Sequence, residues 1–401
     1  MNILLVTDSY PPEIRSASHL MQELAEGLVK RGFCVCVATT YPAYNLAEKS
    51  DNDYPEVSLE NGINVIRIKT LPHHKVNFIV RGLSQVTMPY LFLKKIKQYC
   101  DKVDSVLVYS PPLPLSIVGE KVKKLFGAKY VLNVQDIFPQ NAIDLGVLRN
   151  RLLISYFKRL EERAYREADI VTVHSEGNYN FLMERYPHLG NKLKVLHNWM
   201  DTQEFEGIQV NGAFRKKYSL ENKFIVLFAG VMGPSQGLTF LLQVAEKVKE
   251  FSEIVFLLVG DGMEKEELVR KAELKGLQNV IFAPFVPKKE YPSLVKECNV
   301  GLVSLTNQNK TPVVPGKLLG YMAAGIPVLA FLNKESDGHA IVHKAQCGYS
   351  SIWGDTETAI SNLLKLYKDK SNTLGQNGFR YVKSHFSREE ILEQILQYIQ
   401  S

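Results

Sequence analysis

Apolar residues in the first half of the chain fall into two alternating patterns. Short β-branched and apolar runs at 2–7, 33–39, 63–68, 105–109, 129–134, 170–174 and 193–196 predict strands. Between them, apolar positions recur at helical spacing over 17–31, 114–126, 148–167 and 175–185. Leu20, Leu24, Leu28 and Val29 supply the buried stripe of the first of these helices. Strands alternating with helices predict a parallel sheet covered on both faces. The pattern lapses over 199–222, where polar residues, Gly207 and Gly212 intervene. It restarts at Phe224-Ile225-Val226-Leu227-Phe228, with strands at 254–259, 279–282, 300–304 and 327–330 and helices near 237–250, 263–275, 288–297 and 317–324. The stretch from about 356 to 401 reads as helices only. The expectation is an α/β chain of two Rossmann-like, doubly wound domains, 1–199 and 200–375, followed by a helical end over 376–401. Such sheets place ligands beyond the carboxyl ends of their strands, so a cleft between two facing edges is the expected site.

Composition narrows this picture. The 401 residues exceed what one hydrophobic core organises, roughly 250–300 residues. With 45% hydrophobic and 22% charged residues the chain is an ordinary globular protein, not a disordered one. No basic, apolar and small-residue leader pattern opens it, and no apolar run approaches the roughly 18–20 residues of a membrane span. A cytoplasmic location is expected. Cys34, Cys36, Cys100, Cys298 and Cys347 lack metal-ligand spacing and read as reduced core thiols. His19, His73, His74, His174 and His197 define no metal site either.

The net charge of +6 is unevenly shared, with +5 in residues 1–200 and +1 in 201–401. Much of the excess lies in residues 73–102, where His73, His74, Lys75, Arg81, Lys94, Lys95, Lys97 and Lys102 occur with Asp101 as the one acid. Phe78, Tyr90, Phe92 and Tyr99 are interleaved. A basic, aromatic helical face suits an anionic membrane surface, although a solvated helix would look the same. No nucleic-acid-binding motif accompanies it.

Candidate chemistry sits just after predicted strands. Asp8-Ser9-Tyr10-Pro11-Pro12-Glu13-Ile14-Arg15-Ser16 leads into a helix start, lacks dinucleotide-binding glycines, and is suited to a polar ligand. Asn133-Val134-Gln135-Asp136 puts a carboxylate at a strand end; Asp136 either orients an acceptor hydroxyl or makes an ordinary Asx turn. In the second half, Gly230-Val231-Met232-Gly233-Pro234-Ser235-Gln236-Gly237 and Val259-Gly260-Asp261-Gly262 are glycine turns at strand ends, either ligand cradles or plain connections. Pro315-Gly316-Lys317-Leu318 opens a helix with a lysine, so that cation and helix dipole favour an anion at one point. His197-Asn198-Trp199-Met200-Asp201, at the junction, reads as hinge structure.

Together with Tyr109-Ser110-Pro111-Pro112-Leu113-Pro114, His174-Ser175-Glu176-Gly177 and Gly325-Ile326-Pro327, these segments follow the order and spacing of a family. The chain resembles glycosyltransferase family 4, retaining enzymes of the GT-B fold, in the group associated with O-antigen and capsule sugars. The resemblance implies two Rossmann-like domains facing across a cleft, with a terminal helix packing back on the first. It implies a nucleoside diphosphate sugar, with UDP the expected nucleotide, and a lipid-linked saccharide acceptor. No metal or cofactor is expected. Lys317 and Asp136 become the catalytic candidates. The donor contacts would be Gly233, Ser235, Gln236, Gly237, Gly260, Gly262, Phe285, Val286, Gly316, Leu318 and Tyr321; the acceptor contacts would be Arg15 and Ser16.

Three departures stand out. The family's glutamates flanking the Lys317 helix are replaced by Pro312 and Gly320, its second-domain basic residue by Gln236, and its paired first-domain glycines by residues from Ile14 to Ala17. Glu335 or Asp337 is a candidate replacement carboxylate. A non-catalytic sugar-nucleotide-binding partner and a sugar-nucleotide epimerase are the alternative readings.

Overall fold

The computed structural model describes residues 1–43, 54–72, 78–287, 289–308 and 310–400. His73, His74 and Lys75, together with the side chains of Phe78 and Arg81, lie outside the described part of the predicted basic patch. The described chain divides into two compact units, 1–198 with 389–401, and 199–388.

The strands of the first unit are β1 (Asn2–Val6), β2 (Cys34–Thr40), β3 (Val57–Glu60), β4 (Ile63–Ile68), β5 (Ser105–Ser110), β6 (Lys129–Val134), β7 (Ile170–Val173) and β8 (Leu193–Val195). They form one sheet in the order β3-β4-β2-β1-β5-β6-β7-β8, parallel except for β3. Its helices are α1 (Ser16–Lys30), α2 (Phe78–Tyr99), α3 (Ser116–Phe126), α4 (Gln140–Asp144), α5 (Arg151–Glu167) and α6 (Glu176–Arg185). Every residue of β5 and β7 is buried, as expected of parallel strands covered on both faces.

The second unit begins with α7 (Ala213–Lys217). It continues through β9 (Phe224–Ala229), α8 (Thr239–Lys247), β10 (Ile254–Val259), α9 (Lys265–Leu274), β11 (Val280–Ala283), α10 (Tyr291–Glu297), β12 (Val300–Ser304), α11 (Gly316–Ala323), β13 (Val328–Leu332), α12 (Gly338–Ala345) and β14 (Gly348–Ile352). Its sheet order, β11-β10-β9-β12-β13-β14, is parallel throughout and doubly wound about β9 and β12. Separate apolar clusters fill the two sides of this sheet.

The tail holds α13 (Thr356–Lys368), α14 (Thr373–His385) and α15 (Arg388–Gln400). The single terminal element expected over 376–401 is thus two helices separated near Phe386. Gly378 of α14 packs against Met322 and Cys347 in the second unit. Only α15 belongs with the first unit, where Leu392 fills the space left by the missing side chain of Gly27.

Candidate functional site

In the second unit the end of β9 and the loop after it meet the start of α11 at Lys317. Pro315 ends the preceding loop, and α11 starts with Gly316 and Lys317, whose N–H groups have no backbone partner among the described residues. The Lys317 ammonium donates to Gln236 Oε1 at 3.0 Å and lies 5.0 Å from the centre of the Phe228 ring. Among the described residues no carboxylate lies within ion-pair distance of it. Loss of water around the group lowers its pKa to about 8. It stays mostly charged at neutral pH.

The β9 loop explains how the lysine is seated. Gly230 has φ +140°, and a Cβ there would lie 2.7 Å from Lys317 Cε and 3.2 Å from its Nζ. The missing side chain makes room for the lysine. Gly237, in the left-handed region at φ +55°, ends the turn Pro234–Gln236 and accepts a hydrogen bond from Trp353 Nε1 at 2.8 Å. Within that turn the N–H groups of Gln236 and Gly237 already bond to Gly233 and Pro234, while Ser235 contributes its carbonyl to Thr306. The N–H of Leu318 bonds to Pro315. Of the N–H groups at 235–237 and 316–318, those of Ser235, Gly316 and Lys317 have no backbone partner among the described residues.

Other expected donor contacts divide. Gly233 is buried, with Val231 Cγ1 at the distance of ordinary contact, and Phe285 is exposed while Val286 is buried. A Cβ on Gly260 would meet the Gly230 carbonyl at 2.0 Å, and one on Gly262 would meet that of Met232 at 2.2 Å. Both glycines are required by the crossing of two backbone loops, which are also joined by Gly230 N–H to Val259 O and Met232 N–H to Asp261 O. The expectation that Tyr321 touches the donor is corrected. Its ring is fully buried against Gly301, and its hydroxyl accepts from Ala229 N–H at 3.0 Å, so it holds β9 from inside the core. Leu318 likewise turns a fully buried side chain inward.

A side chain at Gly320 would point toward Tyr291 Oη and Met200 Cε. Glu335 and Asp337 follow the carboxyl end of β13, on the ligand edge of the same sheet, where Asn333 Nδ2 donates to Glu335 Oε2 at 3.4 Å.

In the first unit, the carboxyl ends of β1, β5 and β6 carry the predicted residues. Arg15 Nη1 pairs with Asp8 Oδ2 at 3.1 Å. Burial opposes the guanidinium charge, but Asp8 outweighs it and raises the pKa. Arg15 therefore meets any acceptor as half of an ion pair. Ser16, at the first turn of α1, is exposed and no side chain caps that turn. Ser9 Oγ and Ala43 N–H both donate to Glu13, which ties this loop down. Asp136 is exposed at the end of β6, and desolvation by the surrounding protein raises its pKa. Its charge helps push up the buried Tyr109 hydroxyl, after desolvation itself.

A polar network beside Asp136 joins segments that the sequence had offered separately. His174 is buried, its pKa lowered to about 4 chiefly by desolvation, so it is neutral. It contacts Asn178 Nδ2 through Nε2, and its carbonyl lies 3.0 Å from His197 Nδ1. Asn198 donates to Gln135, and Gln135 donates to Asn133. Of the junction residues, His197 and Asn198 make these contacts within the first unit, and Asp201 caps a 3₁₀ turn. Their segments were visible in the sequence; Asn178 and the bonds that join them were not.

Residues 17–204 match the model of Glycosyltransferase Family 4, and residues 223–369 match that of Glycosyl transferases group 1. The chain belongs to glycosyltransferase family 4. The enzyme is 26% identical over 69% of its length to a Pseudomonas aeruginosa protein named as a glycosyltransferase, WbjE, of which 69% is covered. It is 25% identical over 81% of its length to WcaI of Escherichia coli, named as a colanic acid biosynthesis glycosyl transferase, of which 82% is covered. Among solved structures, Anabaena HepE in complex with UDP superposes with a TM-score of 0.74 at 18% identity, covering 100% of both chains. The glycosyltransferase thus carries two Rossmann-like units of GT-B type. What the second unit brings together at the start of α11 is the Lys317 ammonium and the N–H groups of Gly316 and Lys317, which have no backbone partner among the described residues.

Proposed function

We propose that the enzyme transfers a sugar, such as an N-acetylated or deoxy sugar, from a nucleoside diphosphate donor to a lipid-linked saccharide in surface polysaccharide biosynthesis. The observation that carries this reading is Lys317, seated by Gly230 at the start of α11 without a carboxylate partner among the described residues. Breaking the anomeric bond leaves a diphosphate whose growing charge must be stabilised, and a partly desolvated ammonium beside helix N–H groups does that. No step in this scheme calls for a metal. UDP is favoured because the similar HepE structure holds it, and polysaccharide biosynthesis because WcaI is named for colanic acid; O-antigen and capsule are related products. Transfer with retention leaves Asp136 to position the acceptor hydroxyl rather than act as an in-line base. Arg15, held by Asp8, lines the same strand edge.

The acceptor's lipid implies work at the inner face of the membrane. Leu83, Val86, Tyr90, Lys94 and Lys97 are exposed along one face of α2 and suit an anionic surface. No helix among the described residues is long and apolar enough to cross a membrane.

A thermal-shift screen of UDP, GDP, TDP and ADP sugars, followed by product analysis with a lipid-linked acceptor, tests the reading. Stabilisation by one donor and formation of an α- or β-glycoside of unchanged anomeric configuration is expected. The missing carboxylates at Pro312 and Gly320 favour a second reading, a binding partner or an epimerase. Donor binding without transfer supports the former, and an isomerised donor in the absence of acceptor supports the latter.

A further inference from the structure

We infer that the first two turns of α5 and the loop before them form a second membrane-docking surface, one that seats in the headgroup–acyl boundary of an anionic bilayer. Its purpose rests on the lipid-linked acceptor proposed above; its geometry does not.

Asn150 accepts hydrogen bonds from the N–H groups of Leu152 and Leu153, which fixes the start of the helix. Yet no residue of α5 is buried before Leu160. Leu152 is 81% exposed, Val147 66% and Tyr156 46%. Leu152, Tyr156 and Arg159 share one stripe at helical spacing. Arg149, Arg151, Lys158 and Arg159 are the charged residues between Leu145 and Leu160, with no Asp or Glu among them. Two helical turns that show water an apolar stripe flanked by cations, with the exposed Glu162 lying beyond them, match an anionic lipid interface.

The neighbours extend the match. α3 packs between α5 and α2 and exposes Lys121 and Leu125. Glu120, the carboxylate of that helix, is buried and neutralised by Arg163 and Lys124. A second copy of the chain would bring like charges together on this surface, whereas phosphatidylglycerol headgroups would neutralise them. Crossover helices run antiparallel to their strands, so α2, α3 and α5 all begin at the carboxyl edge of the sheet, where Asp8 and Asp136 lie. Leu83 and Val86 of α2 and Leu152 and Tyr156 of α5 are exposed apolar residues in the N-terminal halves of those helices. Docking through both would bring the acceptor edge toward the lipid.

Flotation with phosphatidylcholine vesicles, with and without phosphatidylglycerol, tests this, using the full chain, Leu152→Ser/Tyr156→Ser, Arg151→Ser/Arg159→Ser, and Lys94→Ser/Lys97→Ser. All these positions are exposed, and unchanged melting confirms folding. The wild type should float with anionic vesicles and be released by salt, and each α5 double variant should partition roughly tenfold less. Transfer to a vesicle-held acceptor should fall in parallel, while donor-stimulated stabilisation by UDP stays unchanged. Full flotation by both α5 variants overturns the proposal, even if the α2 variant is released. So does a wild type that ignores anionic vesicles, or a dimer in size-exclusion that Leu152→Ser/Tyr156→Ser dissociates. Loss of UDP binding in the wild type would instead strike the proposed function and leave the docking surface standing.

Discussion

Lys317 and Gly230 act as one device. The lysine brings the charge; the glycine makes the space for it. If Lys317 neutralises the leaving diphosphate as proposed, replacing it with Ala removes that charge, and turnover should fall by roughly 10²–10³-fold. Since its pKa is lowered to about 8, the charge disappears as pH rises through that value. The kcat/KM for donor should therefore show a descending alkaline limb near pH 8 in the wild type, absent from the residual activity of Lys317→Ala. Gly230→Ala should cost nearly as much, because the new Cβ would displace Lys317 Cε and because φ +140° strains any side chain. Kinetics on the two variants with UDP-sugar decide it; a normal Gly230→Ala enzyme would show that the lysine is not held there. Lys317 was legible in the sequence because a cation just after Pro-Gly at a helix start has few other reasons to exist. Gly230 was legible only as a turn. Gly260 and Gly262 were read as a ligand approach or a plain turn, since a sequence cannot show the close approach of another loop that both make room for. Tyr321 was misplaced because its position on α11 beside Lys317 says nothing about which side of the helix faces the core.

At the scale of elements, the parallel strands were legible because burial on both faces makes them uninterrupted apolar runs. β3 was not: it is an antiparallel edge strand with Val57 and Leu59 exposed. β14, Gly348-Tyr-Ser-Ser-Ile, is too polar to announce a strand and is specified by pairing with β13. Helix α5 is less uniform than its period suggests, with an exposed first half and a second half that buries a carboxylate. Glu161 receives the hydroxyls of Tyr165 and Tyr186 at 3.0 and 2.9 Å. Desolvation outweighs those two bonds and raises its pKa to about 7. The fold therefore prefers the protonated acid. Its contribution is fully present below the unfolded value of about 4.3 and is lost as pH rises through about 7, a change of about 3–4 kcal/mol. Glu161→Gln should flatten the decline in stability between pH 5 and 7.5, as urea titrations at several pH values would show. An unchanged slope would place the proton elsewhere.

The molecule as a whole is not two beads in sequence, because the first unit is completed by the chain's last residues. Sequence periodicity announced the helical tail but not which unit each helix would join: α14 buries Gly375, Gly378 and Val382, and α15 a stripe of Ile and Leu. What separates them is the partner surface. Gly378 lets α14 close on Met322, and Gly27 lets Leu392 of α15 sit against α1, where a Cβ would lie 2.5 Å from Leu392 Cδ2. Arg31 adds ion pairs to Glu389 and Glu393, both largely exposed and so worth little. The apolar contacts decide. Ile391, Leu392, Ile395, Leu396 and Ile399 are buried, and each such side chain contributes about 1.5–3 kcal/mol. Their sum is comparable with the about 5–15 kcal/mol that holds a typical domain together. A chain ending at Arg388 should therefore lose the cooperative melting of the first unit, while the second, which keeps all its strands, still folds and is still stabilised by UDP. Leu392→Ala should lower the first transition by about 2–5 kcal/mol equivalent without moving the UDP-dependent one. Calorimetry with and without UDP separates the two transitions. If truncation left both intact, the terminal helix would be an ornament on the first unit rather than part of its core.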